Sequence, residues 1–386
     1  MTDRPLPPLP PLPEEEPEPP TTERAAVPTD EPPPRARRAD PRFRRRPWSA
    51  GHALVVCVLA LALALLLNAP GVHKSAYNKP DGRQRDVAIA LTGPLADVSH
   101  ALLLDRPRIG VQALIGRSGA DEIDTQIALP ATPARTPAKP TKPTRGSSTT
   151  PKPPRKAAFT PAKKLRLWVA GDSLVIIPGF AVVRAAGSSP VIESVGGVDG
   201  RVATGLTRPD VFNWFEHVRK QMKTLRPRAV VLGFGGNDDK AYMTGLPDGV
   251  TIHAFGGSTW RREYARRVGG LMDVVSRAGG FVVWIGLPQT SSSEQTRRFD
   301  VVNAVAQKEA RKREGRAAFI DTYTMFAGDD GGYAEYLSRP GGGLVKVRAT
   351  DGVHFEREGG DMIAREVLKA LNRAYDLTSW RRRGNA

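Results

Sequence analysis

Five short apolar runs mark the second half of the chain: Leu165 to Ala170, Val191 to Val195, Ala229 to Phe234, Phe281 to Leu287 and Ala317 to Ile320. Runs of this length and uniformity read as strands buried on both faces of a parallel sheet. Between and after them, apolar positions recur at helical spacing over about 211–225, 260–278, 294–313 and 358–374. This alternation predicts one α/β domain over residues 165–386, built on a doubly wound, five-stranded parallel sheet. Such sheets bind ligands beyond the carboxyl ends of their strands, so those ends are where chemistry is expected.

The first half has a different pattern. From Trp48 to Ala69 no Asp, Glu, Lys or Arg occurs in 22 residues, a length that spans about 33 Å as a helix and matches a bilayer core. Residues 48–69 are therefore expected to form a transmembrane helix. A cleaved signal peptide is the competing reading; the long region ahead of the run and the poor cleavage signature Leu67-Asn68-Ala69 favour an uncleaved anchor. Arg35, Arg37, Arg38, Arg42, Arg44, Arg45 and Arg46 precede the span, whereas only Lys74 and Lys79 follow it closely. By the positive-inside rule the N-terminus stays in the cytoplasm and everything after about residue 70 lies outside. Residues 1–47, with the Pro/Leu run from Pro5 to Pro13, read as a disordered tail, either a spacer or a polyproline II ligand. Residues 70–129 form a membrane-proximal segment in which Val87, Ala90, Leu91 and Leu95 predict one or two short helices over 84–116.

Charge refines this division. The formal net charge is +17, which raises a nucleic-acid reading until its location is considered. Residues 130–164 carry nine basic and no acidic side chains in a Pro/Thr/Ala tract, whereas the tail and the membrane-proximal segment are each neutral overall. That tract reads as a soluble linker, with binding of an anionic wall polymer through Lys139, Lys142, Lys152, Arg155 and Lys156 as the functional alternative. Nucleic acid is excluded as a partner because every basic segment after residue 70 is expected outside the cell. One cysteine, Cys57, excludes an internal disulfide framework and any Cys-rich zinc module.

Three strand or helix boundaries carry residues suited to chemistry. The first strand runs into Gly171-Asp172-Ser173-Leu174, where a serine stands at the mouth of the sheet; it is either a nucleophile awaiting a base or a helix N-cap. The third strand delivers Gly235-Gly236-Asn237-Asp238, an ordinary turn or an asparagine amide aimed at a developing negative charge. Before the last helix comes Asp351-Gly352-Val353-His354-Phe355, in which the carboxylate can accept from one imidazole nitrogen and leave the other to take a proton. No second His or Cys follows at metal-ligand spacing, so neither a metal nor another cofactor is expected.

Together these blocks resemble the SGNH/GDSL hydrolase superfamily, over about residues 165–376. Ser173, Asn237, Asp351 and His354 match three of its four blocks. Gly205, within Ala203-Thr204-Gly205-Leu206, is the choice for the glycine block, with Gly200 as the alternative. Gly205-Leu206-Thr207-Arg208-Pro209-Asp210, Trp260-Arg261-Arg262-Glu263-Tyr264 and Asp351-Gly352-Val353-His354-Phe355 are more closely similar to a bacterial subfamily of envelope SGNH proteins with poorly defined substrates. The resemblance implies a three-layer α/β/α sandwich of flavodoxin-like order. It also implies that Ser173 is the nucleophile, His354 the base and Asp351 its orienting acid. The oxyanion hole would be the Ser173 and Gly205 N–H groups with the Asn237 amide. Asp172 and Asp238 are expected to be structural, with Asp238 bracing the turn that presents Asn237. Arg208, Arg348 and Arg357 are open between glycan contact and plain surface arginine, and the excursions 239–259 and 327–350 between cleft walls and connectors.

Three functional readings follow. The first is a membrane-tethered, extracytoplasmic serine esterase acting on O-acyl groups of an envelope polysaccharide or peptidoglycan. The second is an O-acetyltransferase that uses the same acyl-enzyme. The third, a non-catalytic envelope scaffold, relies on the polybasic linker and makes no use of Ser173.

Overall fold

Side-chain alternation along the strands decides the layering. The computed structural model describes residues 49–77, 79, 82–114, 121–130, 156–339 and 341–383. The tail 1–47 and most of the basic tract, including Lys139, Lys142, Lys152 and Arg155, lie outside the described residues. Two units separate after Cys57. Helix α1 (Ala50–Leu67) has a mean hydropathy of 2.6 and no buried residue. It is long and apolar enough to cross a membrane, as the sequence predicts. Next come α2 (Ala69–Tyr77), α3 (Arg83–Ala101) and α4 (Arg106–Leu114). The last two coincide with the helical region expected over 84–116, α3 starting one residue before it.

The α/β part begins with β1 (Leu165–Gly171), α5 (Ile176–Gly187), β2 (Ile192–Gly200), α6 (Trp214–Thr224), β3 (Ala229–Gly233) and α7 (Ser258–Arg277). It continues with β4 (Phe281–Ile285), α8 (Ser293–Arg311), β5 (Ala317–Ile320), α9 (Thr322–Met325), β6 (Tyr336–Ser338), β7 (Leu344–Lys346), α10 (Arg357–Ala374) and α11 (Trp380–Arg383). The main sheet is parallel, in the order β2-β1-β3-β4-β5. This is the flavodoxin-like order implied by the resemblance, with its switch point between β1 and β3. Trp168, Ala170, Val230, Leu232, Val282 and Trp284 face one core layer, completed by α6, α7 and α8. Their neighbours Leu167, Val169, Ala229, Val231 and Val283 face the other, against α5 and α10. The three-layer sandwich therefore follows from period-two strands buried on both faces.

Helix α5 is the longest element that the sequence pattern does not mark; α2, α9, α11 and the strands β6 and β7 are also unmarked. The α5 segment Ile176-Ile177-Pro178-Gly179-Phe180 looks like a loop, because proline and glycine sit side by side. Pro178 occupies the first helical turn, where its missing N–H costs nothing. Gly179 is required for contact: a Cβ there would lie 2.7 Å from Val198 Cγ1. The excursion after β5 holds the antiparallel hairpin β6–β7.

Residues 121–130 are bound along the flank of the sandwich. Asn213 Nδ2 donates to Asp124 Oδ2 at 2.7 Å and to the Gln126 carbonyl at 2.9 Å. Ile127 and Leu129 pack onto the core layer of α6 and α7. On the other side of the basic tract, Phe159 is buried edge-on against Tyr375, with ring centroids 5.3 Å apart.

The ends of β1 and β3 approach closely at the switch point. Gly171 pairs with Gly233, and a Cβ on Gly171 would stand 2.0 Å from the Gly233 carbonyl oxygen. The obstacle is backbone, which cannot rotate away. Gly171→Ala should therefore lower unfolding stability by about 1–3 kcal/mol, read as a shifted midpoint in chemical denaturation; an unchanged midpoint would contradict this close approach.

Candidate active site

The site is assembled from three loops at the carboxyl edge. Immediately after β1, Asp172 N-caps the short 3-10 turn Ser173–Val175, its Oδ1 accepting from Leu174 N at 2.9 Å. This turn presents Ser173 at the sheet's mouth. Ser173 Oγ lies 2.9 Å from His354 Nε2, and His354 Nδ1 lies 2.6 Å from Asp351 Oδ2. With its proton on Nδ1, the imidazole donates to Asp351 and accepts from the serine hydroxyl.

Asp351 is fixed by its own loop. Its Oδ1 accepts from the N–H groups of Val353 at 2.8 Å and His354 at 2.9 Å. Partial burial raises its pKa, but those two N–H groups and the His354 ring outweigh it and hold the carboxyl down to about 2. Gly352, at φ 71°, makes the turn possible and packs so tightly that a Cβ would lie 1.9 Å from Ser291 Oγ. Arg348, expected either at a glycan or on the surface, is instead fully buried behind this loop. Its guanidinium donates to the carbonyls of Gln289 at 2.5 Å, Val353 at 2.6 Å and His354 at 3.2 Å. Burial lowers its pKa to about 10.

The predicted oxyanion residues occupy the other two loops. Asn237 Nδ2 donates to the Thr204 carbonyl at 2.9 Å, which ties it to the residue preceding Gly205 and leaves its second amide hydrogen available. Gly205 leaves room only for a carboxylate: a Cβ there would stand 2.3 Å from Asp238 Oδ1. Gly200, the alternative, ends β2 in register with Gly171, and a Cβ there would meet Ile176 Cγ1 at 2.4 Å. Gly205, not Gly200, adjoins the Asn237 contact.

Two buried aspartates join the loops. Asp172 Oδ2 accepts from Gly235 N at 3.0 Å and Gly236 N at 2.9 Å, linking the serine turn to the asparagine loop. Burial pushes its carboxyl up to about 7, against the pull of these three N–H groups. Asp238 does more than brace its own turn. It accepts from Leu206 N at 3.0 Å, Thr207 N at 2.8 Å, Thr207 Oγ1 at 2.7 Å and Tyr264 OH at 3.0 Å. Burial raises its pKa as well. Arg267, fully buried on α7, holds the same loop from its other side, donating to the Leu206 carbonyl at 2.8 Å and the Thr244 carbonyl at 2.7 Å. Neither Arg267 nor Arg348 carries a sequence signal, because an arginine serving carbonyls looks like any surface arginine. Of the other two arginines, Arg208 pairs with buried Asp210 at 2.7 Å and donates to the Tyr77 carbonyl at 2.6 Å, whereas Arg357 is exposed. Among the described residues no group of three or more His, Cys, Asp or Glu could hold a metal ion.

With this geometry in hand, comparison with known proteins places the α/β part. The family described as "Protein of unknown function (DUF459)" matches residues 166–370, more than half of the chain. The chain belongs to this family. The family's span runs from β1 to α10 and takes in all five sheet strands and the serine, asparagine and histidine loops. No curated protein matches. Among solved structures, the chain is similar to a putative acylhydrolase from Bacteroides fragilis, with 15% identity over 55% of this chain and 88% of that one, at a TM-score of 0.38. A GDSL-like lipase from Bacteroides thetaiotaomicron matches at 14% identity, over 55% and 90% of the two chains, with a TM-score of 0.38. An acetylxylan esterase from Geobacillus stearothermophilus matches at 14%, over 55% and 95%, with a TM-score of 0.34. The sheet order of this DUF459 protein and the convergence of its motif blocks on one edge agree with the SGNH resemblance.

Acid titration offers a check on the Asp351 contacts. Its folded pKa of about 2 lies below the ordinary 3.8, so its stabilising contribution is complete above 3.8 and is lost as pH falls through about 2. The stability difference between wild type and Asp351→Asn should therefore be constant above that window and narrow within it, as measured by thermal melts across acid pH. A difference that held constant down the whole window would mean that these contacts do not form.

Proposed function

We propose that this protein is an extracytoplasmic serine esterase that removes O-acyl groups, acetyl above all, from an envelope polysaccharide or peptidoglycan. The observation that carries the reading is the unbroken hydrogen-bonded line Ser173 Oγ, His354, Asp351. A free hydroxyl is barely ionised at neutral pH and needs such a base. Ser173 Oγ attacks the ester carbonyl while its proton passes to His354 Nε2. His354 then delivers that proton to the leaving alcohol, and the acyl group stays on serine. Water repeats the sequence in reverse, releasing the acid and restoring the hydroxyl. Asp351 keeps the imidazole in the productive tautomer and stabilises the imidazolium. The negative charge on the carbonyl oxygen is met by the Ser173 and Gly205 N–H groups and the spare hydrogen of the Asn237 amide.

Loops held by buried ions support an oxyanion hole that is already formed before substrate arrives. An outside location rests on α1 and on the arginine-rich side of that apolar stretch. The envelope substrate rests on that location.

With p-nitrophenyl acetate, the full chain should turn over and Ser173→Ala should fall to the uncatalysed background. Asn237→Ala should lose about 10²- to 10³-fold in kcat, the cost of one oxyanion donor. Wild-type turnover by Ser173→Ala would overturn the reading.

A further inference from the structure

Away from the three loops, the outer surface of the sandwich carries a strongly basic groove of about 680 Å³ between α7 and α8. Eight arginines and lysines line it, against two carboxylates, Asp273 and Glu309. Those two are already engaged. Buried Arg313 pairs with Asp273 at 2.7 Å and with Glu309 at 2.8 Å, and Lys312 also pairs with Glu309 at 2.5 Å. Arg262, Lys308 and Arg316 are exposed and have no carboxylate partner among the described residues. Like charges gathered this way repel one another, which disfavours the folded chain unless an anion offsets them.

The direction of the groove gives it meaning. Helix α7 is 20 residues long, about 30 Å. Its first turns adjoin the asparagine loop: Trp260 Nε1 donates to the Lys240 carbonyl at 2.8 Å, and Tyr264 OH reaches Asp238 at 3.0 Å. Its far end lies by Arg316, whose carbonyl accepts from Val282 N, at the opposite edge of the sheet. The groove thus leads along the flank of the domain to the edge where Ser173 sits. A flat bilayer would also attract these cations, but interfacial binding needs apolar side chains to insert. No large apolar side chain of α7 or α8 is exposed.

We propose that the α7–α8 groove binds a linear polyanion, a chain with repeated phosphate or carboxylate groups, and feeds it toward the carboxyl edge of the sheet. The link to turnover rests on the esterase reading: the acylated substrate is then itself an anionic polymer. Binding stands without it.

The test uses the full chain in detergent micelles, with labelled polyphosphate and polygalacturonate as probes, vesicles of phosphatidylglycerol as a third arm, and p-nitrophenyl acetate turnover as a control. The variant is Arg262→Gln/Lys308→Gln/Arg316→Gln, and its charge-keeping counterpart is Arg262→Lys/Arg316→Lys. Loss of three ionic contacts should lower the slope of log affinity against log salt by about 2. Lysine replacement should keep the wild-type slope, and turnover of the small ester should be unchanged in both. An unchanged slope in the glutamine variant would overturn the proposal, assigning any binding to the basic tract 130–164. Loss of vesicle binding with polymer binding intact would overturn it in favour of a membrane surface. Absence of ester turnover with polymer binding intact would sink the esterase reading alone.

Discussion

Irregular backbone at the carboxyl edge of a buried sheet has polar groups that neither a ladder nor water can satisfy. An unpaired buried group of this kind costs about 1–3 kcal/mol. Here the partners are ionic side chains placed under the loops. Asp172 takes N–H groups from two loops, Asp238 takes two more from a third, and Arg267 and Arg348 donate to the carbonyls left over. The remaining features of the site depend on this exchange. Charge-assisted hydrogen bonds are stronger than neutral ones, and most of these bridge residues distant in sequence.

One result is rigidity where the chemistry requires it. The serine turn is joined to the Asn237 loop through the Asp172 carboxylate, and the Asn237 loop to the Gly205 loop through the Asp238 carboxylate and the Asn237 amide. A donor aimed at a developing charge is effective only if it does not reorganise during the reaction. Burial of Asp172 and Asp238 raises their pKa values and is therefore a cost, one that the folded state bears because the alternative is a set of unpaired amides.

The sequence made the sheet plain because its strands are buried on both faces and appear as uninterrupted apolar runs. Ser173, Asn237 and the Asp351/His354 pair were legible because each falls where a strand ends or a helix begins, and because their spacing matches a recognisable set of blocks. Helix α5 was not, since Pro178 and Gly179 are loop-like until Val198 is seen pressing on the glycine. Nor were the roles of Arg267 and Arg348, which depend on carbonyls brought near only by the fold. Asp238 was read as a brace for its own turn, but its partners are about 30 residues away in sequence. Local sequence carries no record of such partners.

The binding of residues 121–130 along the flank changes what the proline-rich stretch after them does. That stretch leaves the body at Pro130 and returns to it at Lys156, with Leu129 and Phe159 packed at its two ends. The described residues on its two sides therefore belong to one unit. The length of the stretch then enters through the entropy of closing the loop between its ends, which grows with the logarithm of the number of residues, so that doubling it costs about 0.6 kcal/mol. Lengthening or shortening the chain between the anchors at Leu129 and Phe159 therefore changes the cost of holding them on one unit only slowly.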